Sequence, residues 1–481
     1  MDRNLNGHHD LSLNDHVVVI GGGISGLAAA HRLLRVASGA RVTLLEADNR
    51  LGGKIVTHNV DGFLIEGGAD SFLASKPRGV GLCAEIGLGD HLQGVTPRRR
   101  RAFVLSHGHL HDLPEGLSGL VPTRLMPIAR SSLLSPLGKA RVALEFVLPR
   151  RHGEEDESLG GFMRRRLGSE AWERLIEPLM AGIYAADGDA LSLAATFPQL
   201  RDAERVHGGV IKGALAARPR AQASGMAPRS PFLTPIGGIG ELVTTLAITL
   251  TSGGVTICMG TPVTAVDVVP GGYVVRLASG NTVLANAVVV ATPAFAAAQM
   301  LDAIDGGLVT DLAAIAYVST AIVTFAFRRD QISHPLDAHG YVVPRIEGGP
   351  ILACTWPSRK WAGRAPEGWE LIRVFIGRSG RESDLAGDDE SLFALARREV
   401  VDRLGTTASP TRQRIDRWPR GMPQYLLGHP ERVARIELAV RGHRGLFLAG
   451  SAYHGVGIPD CIASGEAAAD AVGATIAMRG A

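Results

Sequence analysis

The chain has 481 residues, more than one simple core organises, so two or three domains are expected. Hydrophobic residues make up 46% and charged residues 20%, which fits a soluble globular protein and excludes general disorder. A net charge of +3 is too small to point to nucleic acid. The basic clusters Arg98 to Arg101, Arg150-Arg151 and Arg164 to Arg166 read as solvated surface or as contacts for acidic lipid headgroups or an anionic substrate.

The first sixteen residues, MDRNLNGHHDLSLNDH, are polar and lack the apolar segment of a secretory signal. No later stretch approaches the ~18 apolar residues of a membrane-spanning helix. Cys83, Cys258, Cys354 and Cys461 lie far apart with no metal-binding spacing. Each reads as a small buried hydrophobe, and the set fits a reducing compartment rather than a disulfide framework.

Residues 16–48, HVVVIGGGISGLAAAHRLLRVASGARVTLLEAD, begin with a short β-branched run, Val17 to Ile20, that ends in glycines. Ile24 to Val36 has helical spacing, with small residues where a helix presses on a sheet. Arg41 to Leu45 is a second strand, closed by Glu46. Gly21, Gly23 and Gly26 form GxGxxG, which serves a tight turn, close approach of a diphosphate, and helix–strand packing. Glu46 stands where a carboxylate accepts the ribose hydroxyls. Gly22, Ile24 and Ser25 complete a cradle at a helix N-terminus, where free N–H groups and the dipole favour an anion.

The next segment, ADNRLGGKIVTHNVDGFLIEGGADSFLASKP, resembles the RxGG(R/K) continuation of amine-oxidase-type flavoproteins, which points to FAD rather than NAD. Arg50, Gly52, Gly53 and Lys54 would bring backbone and positive charge to the diphosphate. EGGADSFLASKP (66–77) is too polar and glycine-rich to be plain core, and Pro77 is expected to stop the element before it.

Residues 91–180 carry short, proline-punctuated helical patterns, some amphipathic and basic, suited equally to a membrane surface, a substrate entrance or an ordinary helical subdomain. The acidic run at 154–157 reads as a solvated loop. A helix from about Gly240 is followed by strands, including one near Val263. Val288 to Ala291 reads as a buried strand. Residues 306–421 mix strands with one helix, DDESLFALARREVVDRLG, and suggest an antiparallel sheet with helices. Leu446 to Ala449 is a last strand before GVGIPD, where Pro459 and Asp460 suit the first turn of a helix rich in small residues. Gly450 is followed by Ser451 rather than an acid, so no carboxylate contact to the cofactor is assigned there.

VVIGGGISGLAAAHRL, EGGADSFLASKP, LIEPLMAGIYAADGDALSLAATFPQL, ACTWPSRKW, RWPRGMPQY and GVGIPDCIASGEAA stand in the order they have in bacterial protoporphyrinogen/coproporphyrinogen oxidases, which the chain resembles from about residue 15 to 475. The resemblance implies an α/β and α+β multidomain fold. A discontinuous Rossmann-like FAD domain would cover 15–75, 230–305 and 422–481. A mixed-sheet substrate domain would cover 76–90, 181–229 and 306–421, and a helical domain of membrane-associating type 91–180. It carries FAD contacts onto Gly21 to Gly26, Glu46, Ala47, Gly53, Lys54, Gly67, Gly68, Ala69, Asp70, Val263, Trp418, Gly457, Ile458 and Pro459. Trp418 reads equally as a core aromatic from its residues alone.

The implied reaction removes six electrons from a porphyrinogen in three hydride transfers to FAD, with molecular oxygen as the final acceptor and hydrogen peroxide as its product. Coproporphyrinogen III is the expected substrate and protoporphyrinogen IX the alternative. An amine oxidase, a carotenoid desaturase and a flavin-free relative of GDP-dissociation inhibitors are remoter alternatives. Lys76 is the first choice for a substrate carboxylate, followed by Arg345, Arg359 and Lys360. His454 is a candidate base with a structural role as its rival reading. A cytoplasmic location follows, with peripheral contact on the inner face of the membrane, hand-off to a ferrochelatase and oligomeric state left open.

Overall fold

The computed structural model describes residues 15–97, 102–118, 120–153, 155–216 and 230–480. The polar N-terminus, the Arg98 to Arg101 cluster and Glu154 of the acidic run lie outside these residues.

The nucleotide end is a five-stranded parallel sheet in the spatial order Thr256–Cys258, Arg41–Leu45, His16–Ile20, Ala287–Val290, Leu446–Leu448. His16–Ile20 and Ala287–Val290 are buried on both faces, as expected of a parallel sheet covered by helices. Three elements cover it through Leu27, Ala28, Ala29, Ala30 and Leu33 of the helix Ile24–Val36, Leu242 and Leu246 of Gly240–Ser252, and Ile462, Ala469 and Val472 of Ile458–Gly480. Fully burying each such valine, leucine or isoleucine contributes about 1.5–3 kcal/mol. The first and last helices approach so closely that a Cβ on Gly465 would stand 2.1 Å from the Ser25 carbonyl oxygen. His16–Ile20 is central, so the chain leaves it in opposite directions, and the crevice at its carboxyl end is the usual ligand position in such sheets.

The end expected to hold the substrate has a seven-stranded sheet ordered Arg412–Pro423, Tyr317–Arg328, Trp369–Ile376, Ile351–Thr355, Gly340–Val342, Phe103–Ser106, His109–Asp112. The last two strands come from the stretch expected to be helical. Phe103 pairs with Tyr341 and Val104 with Val342 in parallel, so the 91–180 segment contributes strands to this sheet. The helix Asp389–Leu404 covers one face of the sheet through Leu392, Ala396, Val400 and Leu404.

A small sheet joins the two ends. Phe232–Pro235 pairs antiparallel with both Phe72–Leu73 and Leu92–Gly94. Pro77 opens the helix Pro77–Glu85 with Lys76 as the capping residue, because its fixed φ and missing N–H suit a first helical position.

The helical part packs around Phe162, Met163, Trp172, Leu175 and Ile176. Its basic cluster corrects both surface readings. Arg166 is wholly buried and donates to Glu145 Oε1 at 2.6 Å, Arg165 binds Glu157 and Glu204, and Arg164 binds Asp189. Buried guanidinium groups persist only with partners of this kind. The acidic run is equally engaged: Asp156 accepts the Ser192 hydroxyl and the Ala194 N–H, and so fastens the start of the helix Leu193–Thr196. Cys83, Cys354 and Cys461 are buried free thiols and Cys258 is half-buried. No helix among the described residues is long and apolar enough to cross a membrane.

Candidate active site: a flavin cradle and its seam with the substrate sheet

The glycine turn separates three physical roles. Gly21 has φ +107°, and a Cβ there would meet the Ala291 carbonyl oxygen at 2.7 Å. Gly26 carries the helix–strand approach, since a Cβ would lie 1.9 Å from the Gly21 carbonyl oxygen. Gly23 is different: its backbone is ordinary (φ −70°), and a Cβ would find no protein atom within 4 Å. The open space beside Gly23 is therefore room for something other than protein. The helix it begins has no side-chain cap and no acid in its first turn, leaving donors and dipole free for a phosphate.

Glu46 follows the second strand. Its carboxylate accepts the Gly22 N–H at 2.6 Å and the Asp48 N–H at 2.8 Å. Ala47 beside it is exposed. Gly260 and Thr261 donate to the Asp48 and Glu46 carbonyls, which brings the strand beginning at Val263 alongside this acid. Gly22, Glu46, Ala47 and Val263 thus border one end of the crevice.

Gly53 (φ +55°) approaches Gly23, and Gly52 forms a bridge with Gly23. Arg50 does not reach into the crevice: it donates to the Gly53 and Leu51 carbonyls and lies 6.0 Å from the Trp418 ring. Lys54 is the cation left over. It lies 5.8 Å from the Tyr317 ring and has no carboxylate partner among the described residues. Protein surrounds it closely enough that burial lowers its pKa, yet its side chain stays accessible to water, as a group lining a deep channel must be. An unpaired cation beside an uncapped helix start and a void at Gly23 fits a bound diphosphate.

The turn Gly67–Asp70 is gripped from the substrate sheet. Trp418 Nε1 donates to the Gly67 carbonyl at 2.7 Å, and Arg373 donates to the Gly68 carbonyl at 2.7 Å. Both glycines are required by space, since Cβ atoms would stand 2.6 Å from Val56 Cγ1 and 2.1 Å from the Lys54 carbonyl oxygen. Asp70 accepts Lys360 Nζ at 3.0 Å, the Ser71 hydroxyl at 2.7 Å and Trp361 Nε1 at 3.4 Å, with Arg373 at 3.7 Å. Burial alone would raise this carboxyl, but Lys360, Arg373 and Ser71 together hold it well below the usual carboxylate range. Glu66 shows the opposite balance. Burial raises its pKa despite the Thr57 hydroxyl and the Ile239 N–H. Ala69, between these anchored residues, is left exposed.

Gly457, Ile458 and Pro459 start the last helix, with Ile458 and Pro459 buried. Asp460 accepts the Gly457 N–H at 3.3 Å and Lys76 Nζ at 2.6 Å through both carboxylate oxygens. Sequence reading singled out Lys76 but missed this partner, 384 residues away in the chain. The other nominated cations are engaged too. Arg345 donates to the Ala186 and Ser379 carbonyls, Arg359 to Glu370, and Lys360 to Asp70. His454 is 64% exposed, and its Nε2 lies 2.6 Å from Glu437 Oε1. That contact is at the surface.

Residues 24–473 match the family described as flavin containing amine oxidoreductase. The coproporphyrinogen III oxidase of Bacillus subtilis (strain 168) is 36% identical over 94% of this chain and 97% of its own. That of Propionibacterium freudenreichii subsp. freudenreichii is 38% identical over 95% and 90%. A crystal structure from Exiguobacterium sp. 255-15, described as a protoporphyrinogen oxidase, superposes with a TM-score of 0.86 at 35% identity, covering 96% of this chain and 99% of that one. FAD is the cofactor of this fold, and the chain belongs to the flavin-containing amine oxidoreductase family.

Proposed function

We propose that this protein oxidises coproporphyrinogen III to coproporphyrin III, with molecular oxygen as the final acceptor. The observation that carries the reading is the extent of the similarity. It covers 94% of the chain against a coproporphyrinogen III oxidase, and so includes the substrate sheet as well as the glycine cradle. The porphyrinogen loses six electrons and six hydrogens, and three molecules of oxygen leaving as hydrogen peroxide balance the reaction. When bound, FAD supplies the two-electron acceptor that each round needs. Glu46 and the helix start at Ile24 would hold the nucleotide, Lys54 the diphosphate, and Gly67 to Ala69 would lay bare backbone along the ring.

Lys76 is the cation we assign to a substrate carboxylate. Its side chain is 45% exposed, whereas Lys360 and Arg345 are fastened inside the fold. Comparing turnover of coproporphyrinogen III and protoporphyrinogen IX under oxygen, by porphyrin fluorescence, tests the whole reading. Faster turnover of the first is expected. Preference for the second would move the assignment to the alternative substrate, and turnover of neither would remove it.

The stretch 124–147 is assigned to peripheral contact with an anionic lipid surface. Leu137 is 83% and Val147 76% exposed, and Arg124 and Arg130 are exposed beside Leu125 and Met126. Co-sedimentation with vesicles containing acidic lipid, lost on changing Leu137 and Val147 to Ser, is the expected result. Hand-off of the product to a ferrochelatase would then take place near the membrane.

A further inference from the structure

The turn 450–457 connects the last strand of the parallel sheet to the helix Ile458–Gly480. It contains the glycines expected to face the flavin, and it has few internal hydrogen bonds of its own. It is fastened instead from the neighbouring segment 424–429. The Tyr425 hydroxyl donates to the Ser451 carbonyl at 2.6 Å and accepts the Gly455 N–H at 2.8 Å, so one oxygen ties the two ends of the turn. His429 Nε2 lies 3.1 Å from the Tyr453 carbonyl, a third tie between those two. The two rings stack with centroids 4.1 Å apart and planes 12° apart, and both side chains are wholly buried.

The protonation states follow from the partners. A carbonyl can only accept, so His429 carries its proton on Nε2. Its Nδ1 is then a bare lone pair, in keeping with that buried atom having no hydrogen-bond partner. Burial favours the neutral ring and lowers its pKa to about 4. Burial also raises the Tyr425 phenol far above its ordinary value, so it remains a donor.

Tyr425 is itself held from the substrate side. Its carbonyl accepts the Ser192 N–H at 2.8 Å, Leu426 forms a bridge with Leu191, and the neighbouring Gln424 side chain donates to the Tyr184 carbonyl at 3.0 Å. The Tyr184 ring, at the end of the helix Glu177–Tyr184, packs against Tyr425 with centroids 6.2 Å apart. A chain of contacts therefore runs from the helical part, through one phenol, into the turn ahead of Gly457.

We propose that Tyr425, backed by His429, is a positioning residue for the flavin: it sets the turn 451–455 and hence where the N–H groups at the start of the helix Ile458–Gly480 stand. The inference rests on the assignment of Gly457, Ile458 and Pro459 to the flavin. Electrostatic stabilisation of a reduced flavin by such donors depends on their placement in advance. A phenylalanine keeps the ring and the stack but removes both hydrogen bonds, and so isolates the hydroxyl.

The test compares wild type with Tyr425→Phe, with and without FAD. Amide hydrogen exchange across 451–457 should quicken about fivefold in the FAD-free variant, as expected for losing roughly 1 kcal/mol of hydrogen bonding. In the FAD-bound variant the visible band shape should change and the flavin potential should become more negative. Turnover should fall while KM changes less than twofold. A variant that only melts earlier, with unchanged exchange, spectrum and potential, overturns the proposal. Gly457→Val separates it from the reading beneath it. Faster exchange in Tyr425→Phe with a potential unmoved in both variants would show a braced turn that does not face the flavin. Should Tyr425→Phe not fold, His429→Gln, which keeps a donor towards the Tyr453 carbonyl but removes the stacked ring, is read by the same criteria.

Discussion

Gly23→Ala tests the cofactor cradle without testing the fold. The added Cβ meets no protein atom within 4 Å, and φ is −70°, so the FAD-free protein has no steric reason to change. Gly23 is the capping residue of the helix Ile24–Val36. Alanine is a poorer cap than glycine by several tenths of a kcal/mol, while restricting the unfolded chain contributes about 0.4–1 kcal/mol in the other direction. The net effect on the FAD-free protein is expected to stay under about 1 kcal/mol, a shift of no more than roughly 3 °C. The bound state differs, because the methyl group occupies the space left for the diphosphate. Displacing two charge-assisted hydrogen bonds, each about 1.5–3 kcal/mol, weakens FAD binding by roughly 10²- to 10⁴-fold. The assay is fluorescence titration of FAD-free protein with FAD, alongside a thermal melt of the same sample. Gly26→Ala is the contrast, since its Cβ at 1.9 Å from the Gly21 carbonyl destabilises the FAD-free protein itself. A yellow Gly23→Ala protein with FAD affinity within threefold of wild type would refute the cradle.

Two further outcomes are expected. Lys76→Ala should raise KM for coproporphyrinogen III about tenfold and leave FAD bound, whereas Asp460→Asn, which frees Lys76 from its partner, should lower KM or leave it unchanged; KM unmoved by Lys76→Ala removes the lysine from the substrate site. Acid should destabilise the fold through His16 and His429, both lowered by burial to about 4. The unfolded chain takes up these protons below about 6.5 while the folded chain does not, so stability is full above that pH and is lost between 6.5 and 4, by roughly 2–3 kcal/mol per histidine at pH 4.5. Urea midpoints of His429→Gln at pH 7 and 4.5 should therefore differ less than those of wild type, and an equal difference would contradict the burial argument.

The nucleotide end was legible because its chemistry is local. A β-branched run, three glycines and an acid at the next strand end are all set within 31 residues, and each has one physical reason. The substrate sheet was harder, because Phe103–Asp112 joins it only through strands more than 200 residues later. No period in 91–180 announces that pairing. Arg164 to Arg166 misled for a similar reason: a run of arginines looks solvated until Glu145, Glu157, Asp189 and Glu204 arrive from elsewhere in the chain. Tyr425 was inside a motif that was quoted, RWPRGMPQY, but the residue carrying an obvious signal there was Trp418. A tyrosine after a strand has many uses, and its two hydrogen bonds exist only once residues 451 and 455 have folded back to it.

The seam between cofactor and substrate raises a question of charge that bears on how a polycarboxylate could bind. Asp70 takes Lys360 with Arg373 close by, and Asp460 takes Lys76, so the cations nearest the flavin-facing turns are neutralised before substrate arrives. A free cationic rim would attract any anion and would cost desolvation when buried under a macrocycle. A paired rim would bind by exchange: a propionate would replace Asp460 on Lys76, and the carboxylate released would stay next to the Gly457 N–H it already contacts at 3.3 Å. The number of ion pairs is then unchanged on binding while the site gains the propionate's negative charge, so the gain lies in geometry rather than in raw attraction. Exchange also predicts a shallow salt dependence of KM, because one ion pair is traded for another. An open rim would give a steep one. The slope of KM against ionic strength, measured with Asp460→Asn as the open-rim reference, decides between the two.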